Sequence, residues 1–192
     1  NDDYVIFKHG EQTFLPSPID LVFAGYGIIA PEFDYNDYAE IDVMGKVAVV
    51  MGGEPLSDDP SYFEGDRPSI HSFNESKLRT AMSRGALGII YIPLPNDFFY
   101  NNWEKVITAF SFPDISLAYS TSSAFGIIMN INSAFILFTS SGFSLNDIYD
   151  QHESHKVRSF DMNSQITFTG RFQQRDFTSP NIIGMIEGKD PN

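Results

Sequence analysis

The chain is predicted to fold as an α/β domain, on three observations. Residues 21–24 and 46–51 are short, valine-rich apolar runs, as expected of strands buried on both faces. A helical stripe of Leu78, Ala81 and Met82 lies between the second run and a further apolar run at 87–92. Strand, helix and strand in that order make a crossover whose strands are expected to be parallel. The 192 residues suit one domain, or one with a fragment of another, and 18 Phe and 9 Tyr are ample for a core.

Residues 4–8 and 12–15 alternate loosely around His9-Gly10-Glu11 and read as a small hairpin. Pro16 and Pro18 lack a backbone donor and are expected to end that pairing. After the strand at 21–24 comes a segment dense in Gly, Asp, Tyr and Asn, with room for a short helix. Residues 56–72 carry turn signals and no period, which predicts a long surface loop. The helix over 73–85 has Ser72 or Asn74 as cap and Gly85 as left-handed stop. Residues 96–103 (NDFFYNNW) read as an aromatic loop, followed by a short helix to Phe110. Residues 113–118 and 134–138 are expected as strands, and 121–129 as a helix with Ala124, Ile127 and Ile128 inward. Ser144 and Asp147 form a capping-box pattern that opens another helix. A half-buried strand over 160–172 and an apolar strand over 179–190 complete the chain.

The net charge of −13 argues against nucleic acid and anionic membrane surfaces as partners. No apolar run approaches the roughly 20 residues that a membrane-spanning helix needs, so no membrane insertion is expected. Without cysteine there are no disulfides and no thiolate metal sites. Asn1-Asp2-Asp3 is unlike the start of a signal peptide.

Gly25-Tyr26-Gly27-Ile28-Ile29-Ala30 fits the dinucleotide fingerprint in letters, but Pro31 and a turn-rich segment follow where a helix should begin at once. Asp34, Asn36, Asp37, Glu40 and Asp42 supply five oxygen ligands, the basis of a calcium alternative, though not with EF-hand spacing. His152 and His155 stand at i and i+3, one residue short of a zinc-protease helix, and are expected to be solvated side chains near a helix end. Replacing His152 is therefore expected to matter little. His9 and His71 fall in loops, and Asn74-Glu75-Ser76 fits a glycosylation sequon as well as a helix start. The serine-rich runs at 120–123 and 139–141 suit caps and turns. No nucleophile elbow or P-loop is present, so no catalytic residue and no metal ligand is assigned to this chain.

The stretch FAGYGI, APE, NDYAEIDVMGKVAVV and GGEP over residues 23–55 resembles the opening of a protease-associated domain. Such domains are inserted in secreted two-zinc aminopeptidases, of the transferrin receptor and glutamate carboxypeptidase-like zinc exopeptidase family. Lys77, Ala81, Gly85, Ala86 and Gly88 match that family's Lys, Ala and Gly-Ala-x-Gly before a valine-rich strand. Residues 179–191 (SPNIIGMIEGKDP) resemble its return into the catalytic domain. The resemblance implies a mixed α/β fold with a β-sandwich or open-barrel core and flanking helices. It divides the chain into a lead-in at 1–18, the protease-associated domain at 19–176, and a strand at 177–192 leading into a peptidase domain. It further implies a non-catalytic role beside the cleft, with the catalytic domain as partner in cis and a peptide or protein as substrate. Two zinc ions and a Glu base would lie outside this chain, which itself holds no cofactor, and the enzyme would be secreted or periplasmic. In the aromatic loop, Phe98, Phe99 and Trp103 are expected to fold back as a satellite core, the alternative being that Tyr100 and Trp103 face the peptidase cleft as substrate contacts. Two rivals stand beside this reading: a calcium- or carbohydrate-binding adhesion module, and an enzyme complete in itself that uses His152 and His155.

Overall fold

The valine-rich runs become the middle of a six-stranded mixed sheet. The computed structural model describes residues 2–8, 15–65, 67–112, 124–168, 178–180, 182–186 and 188. Its strands are β1 (Tyr4–Lys8), β2 (Leu15–Phe23), β3 (Ile29–Ala30), β4 (Tyr35–Asn36), β5 (Val47–Met51), β6 (Gly88–Ile92), β7 (Phe125–Met129) and β8 (Phe160–Phe168). Its helices are α1 (Asn74–Ser83), α2 (Phe98–Asn101), α3 (Trp103–Ala109), α4 (Ile131–Ala134) and α5 (Leu145–Glu153). The large sheet has the order β1-β7-β6-β5-β2-β8, and β3 and β4 form a separate ribbon. β2, β5, β6 and β7 are parallel, while β1 and β8 flank them antiparallel. The chain thus adopts the expected α/β class, with helices flanking an open sheet.

Alternation along the strands divides the core into two layers. On β5, Val47, Val49 and Met51 face one layer, and Ala48 and Val50 the other. The first layer is covered by Tyr26, Ile28, Phe63, Phe138 and the α5 residues Leu145 and Ile148. The second is covered by Leu78 and Ala81 of α1, Val106 of α3, Tyr38 and Val43. Parallel strands need this cover on both sides, which explains why their sequences run apolar without a period.

α1 stops as expected. Gly85 has φ +84°, its N–H donates to Met82 O (2.9 Å), and the Ala86 N–H donates to Ala81 O (3.1 Å). That is the Schellman closure. Its start differs: Phe73 is the capping residue and has no side-chain cap bond, while the Ser72 hydroxyl donates to Ser69 O and Asn74 is already helical. The capping box of Ser144 and Asp147 opens α5 as expected.

Elsewhere the tertiary structure corrects the local reading. β1 pairs with β7, a contact the local reading did not foresee, while residues 9–14, which hold the expected turn and most of the expected hairpin partner, lie outside the described residues. Pro16 and Pro18 lie within β2 rather than ending it. β2 meets β5 only from Leu21 onward, and a register shift toward β8 between Leu15 and Ile19 accommodates the missing donors. The expected helix at 121–129 is β7 over its described strand residues, and the expected strand at 134–138 is the end of α4 and a 3-10 turn, Phe135–Phe138. In a strand buried on both faces every position is apolar, so Ala124, Ile127 and Ile128 imitate a helical stripe. Asn130 starts the real helix by accepting the Asn132 N–H at 3.0 Å. The strand expected at 113–118 lies outside the described residues.

The 56–72 loop is made of turns, yet Phe63 within it is 1% exposed and stacks on Phe33 at 4.5 Å, so it plugs the core. Between β2 and β5 the expected short helix is a single 3-10 turn, Pro31–Phe33. The middle of the aromatic loop is helical, as α2. β8 is described to Phe168, and the rest of the strand expected to 172 lies outside the described residues. No strand forms among the described residues of 179–190, where Ile182, Ile183, Met185 and Ile186 are 96%, 93%, 86% and 97% exposed. Among the described residues no helix is long and apolar enough to cross a membrane.

Candidate functional site

Ligands of open α/β sheets gather at the carboxyl ends of the parallel strands. Here the segments that follow β2, β5 and β6 meet at that end around one side chain of α1, Lys77. Lys77 shares the apolar stripe of α1 with Leu78 and Ala81, so its stem is buried while its ammonium reaches past the helix. Nζ donates to Tyr26 O at 2.6 Å and to Gly53 O at 2.7 Å, and lies 5.8 Å from the centre of the Tyr26 ring.

The charge that answers Lys77 is Asp37, also buried. Its carboxylate accepts the Ile28 N–H at 2.9 Å and the Tyr35 hydroxyl at 2.7 Å. Gly25 makes room for it: at φ +51°, a β-carbon there would stand 2.3 Å from Asp37 Oδ1. The glycine-rich turn is therefore shaped around a carboxylate of its own chain. Burial raises the Asp37 pKa against the opposing bonds from Ile28, Tyr35 and the Lys77 charge. Burial lowers that of Lys77, and Asp37, Glu54 and Asp97 oppose it. Asp97 accepts from the Leu94 N–H (2.9 Å) and the Tyr91 hydroxyl (3.0 Å), while Glu54 is held by the Ser69 amide at 3.0 Å and by the Ser69 hydroxyl.

His152 joins this cluster from α5. Its Nδ1 is 2.7 Å from the Tyr26 hydroxyl, and the side chain is buried rather than solvated. Losing that hydrogen bond costs about 1 kcal/mol, so His152 matters more than its place near a helix end implies. His155 does not share its helix face: it lies past Glu153 at φ +59°, where its N–H donates to His152 O. His71 pairs with Glu32 at 2.9 Å, and His9 lies outside the described residues.

The five calcium candidates are not brought together. Asp37 is turned inward, the Asn36 side chain accepts the Tyr38 N–H, and the Asp42 side chain accepts the Met44 N–H, each at 2.9 Å. Asp34 ends the 3-10 turn in a left-handed conformation, and Glu40 is exposed. Among the described residues no three His, Asp or Glu side chains stand close enough to hold a metal ion, so those residues do not fit the two zinc ions of the resembled family. Tyr100 and Trp103 are half-buried; Trp103 packs against the second core layer, and its buried Nε1 has no hydrogen-bond partner.

At the strand ends Lys77, Asp37, Glu54 and Asp97 each have hydrogen-bond partners within the chain. Chemically the cluster ties loops together. Two shallow depressions lie elsewhere, one between the 41–44 turn and the end of α1, the other beside Ile136 and Asn163–Gln165. Sequence reasoning missed the joint role of Lys77, Asp37, Tyr26 and His152. Its available signal was a lysine on an apolar helical stripe.

No family model matches the chain, and no curated protein matches it. Among solved structures it is similar to an aminopeptidase from Aneurinibacillus sp. strain AM-1, with TM-score 0.33 and 18% identity. That likeness is distant; it covers 74% of this chain and 28% of the aminopeptidase.

Proposed function

We propose that this chain is a non-catalytic protease-associated domain of a secreted or periplasmic two-zinc aminopeptidase, set beside the catalytic domain in cis. One observation carries the reading. The separate stretches on which the resemblance rests, Gly25 to Gly27, Gly53 and Lys77 with its helix, are joined at one point by the Lys77 ammonium. They form a single structural unit, which is what a shared domain requires. The exposed apolar side chains of 182–186 add support, since a segment passing into a second domain would be covered there. In this reading the zinc ions and the Glu base belong to the other domain, and the present one shapes access of a peptide or protein substrate.

The test compares the purified chain with the longer protein on aminoacyl chromogenic substrates, with and without zinc. Zinc-dependent turnover by the longer protein and none by this chain is the expected result; turnover by this chain alone would overturn it. Tyr100 and Trp103 are the proposed substrate contacts. Trp103→Ala in the longer enzyme should raise KM for long peptides with kcat nearly unchanged, because such a contact is made equally in ground and transition states. An unaltered KM with lost stability would leave Trp103 as packing alone.

A further inference from the structure

His152 is a buried imidazole that forms no ion pair among the described residues. The ion pairs among the described residues are Lys46 with Asp161 and His71 with Glu32, and no carboxylate comes within ion-pairing distance of His152. Its ring meets the edge of Tyr26 at 5.8 Å between centroids, and its Nδ1 meets the Tyr26 hydroxyl at 2.7 Å. Burial, then the charges of Asp37 and Glu153, push the Tyr26 phenol well above its ordinary range, so it stays a neutral partner. α5 docks through Leu145 and Ile148 in the core, the Tyr149 hydroxyl on Pro93 O (2.9 Å), and this His152–Tyr26 bond. Tyr26 is pinned at its other end by Lys77, so the bond joins α5 to the cluster at the strand ends.

We propose that His152 is a pH-operated latch, which holds the end of α5 on the loop after β2 while neutral and releases it on taking a proton. Besides Tyr26 and burial, three charged or titratable groups act on the imidazole. Burial lowers its pKa most and His155 acts in the same direction, whereas Glu153, on α5 itself, and Asp97, on the loop after β6, raise it. Asp97 is already engaged by Leu94 and Tyr91, and Asp37 and Lys77 face Tyr26 rather than the imidazole. A released imidazole regains water and its ordinary pKa of about 6.5. Between that value and the lower docked value, the released form takes up a proton that the docked form refuses. Docking is therefore strongest above about pH 6.5, weakens as the pH falls through this window, and levels off below the docked pKa.

The experiment is amide hydrogen exchange of the chain between pH 7.5 and 5.0, corrected for intrinsic rates, alongside titration of the histidine rings by NMR. Protection of residues 148–152 should fall about tenfold per pH unit within the window, while β5 and β6 keep theirs. His152→Gln retains a neutral acceptor for the Tyr26 hydroxyl and should make α5 insensitive to pH. The same pH dependence in His152→Gln, or a His152 ring that titrates at or above about 6.5, overturns the latch. Should the glutamine variant fail to fold, the ring titration in the wild-type chain decides alone.

Discussion

Lys77 shows how far one side chain can depart from its composition-based expectation. A lysine on a helix ordinarily keeps its ammonium in water, yet this one is as buried as the valines of β5. An uncompensated buried ion costs several kcal/mol, and two backbone carbonyls with a buried carboxylate supply the compensation. Lys77→Met should therefore cost about 3–5 kcal/mol, by leaving Asp37 uncompensated and two carbonyls unmet. Adding Asp37→Asn should recover part of that loss. A double-mutant cycle by urea unfolding at pH 7 measures the coupling, and strictly additive losses would show that the two charges do not sense each other. Gly85 is the other residue with a sharp expectation. At φ +84° a β-branched side chain is strained and meets Met44 at 3.2 Å, so Gly85→Val should cost about 1–3 kcal/mol. An unchanged melting temperature would contradict that.

Among the elements, those whose ends carry a chemical signal were legible. Ser144 with Asp147 opens α5, and Gly85 with its left-handed turn closes α1, as the sequence indicates. Ser144→Ala should lower stability by about 0.5–2 kcal/mol, because the Asp147 amide loses its acceptor; thermal unfolding of the variant checks it. Elements told only by apolar spacing were not legible. β7 and α4 exchanged places in the local reading because FGIIM, buried on both faces, has no polar side to set a period. The β1–β7 pairing was not legible for a related reason: the alternation of β1 says that it is a strand, not which edge it joins.

For the molecule taken together, the unbalanced feature is the apolar segment at 182–186. Four large side chains there have no cover among the described residues. The purified chain should accordingly self-associate through them, and Ile183→Asp with Ile186→Asp should reduce that self-association without moving the melting temperature. Sedimentation velocity across a concentration series, paired with thermal unfolding, provides the check. Unaltered association would place the sticky surface elsewhere, with the exposed Phe135, Ile136 and Phe143 the next surface to test.

Composition, the valine-rich runs and the strand–helix–strand order were enough to determine an α/β domain, because buried parallel strands leave a local record in their own residues. The end of α1 and the start of α5 were determined likewise, since caps are contacts between near neighbours in sequence. The candidate site was not. Tyr26, Asp37, Lys77 and His152 each have an ordinary local meaning, in turn a glycine-loop aromatic, a turn acid, a helix cation and a polar residue near a helix end. Only folding sets them in one low-dielectric cluster, where burial reverses those meanings and leaves the lysine inside, the aspartate beside a glycine, and the histidine on a phenol.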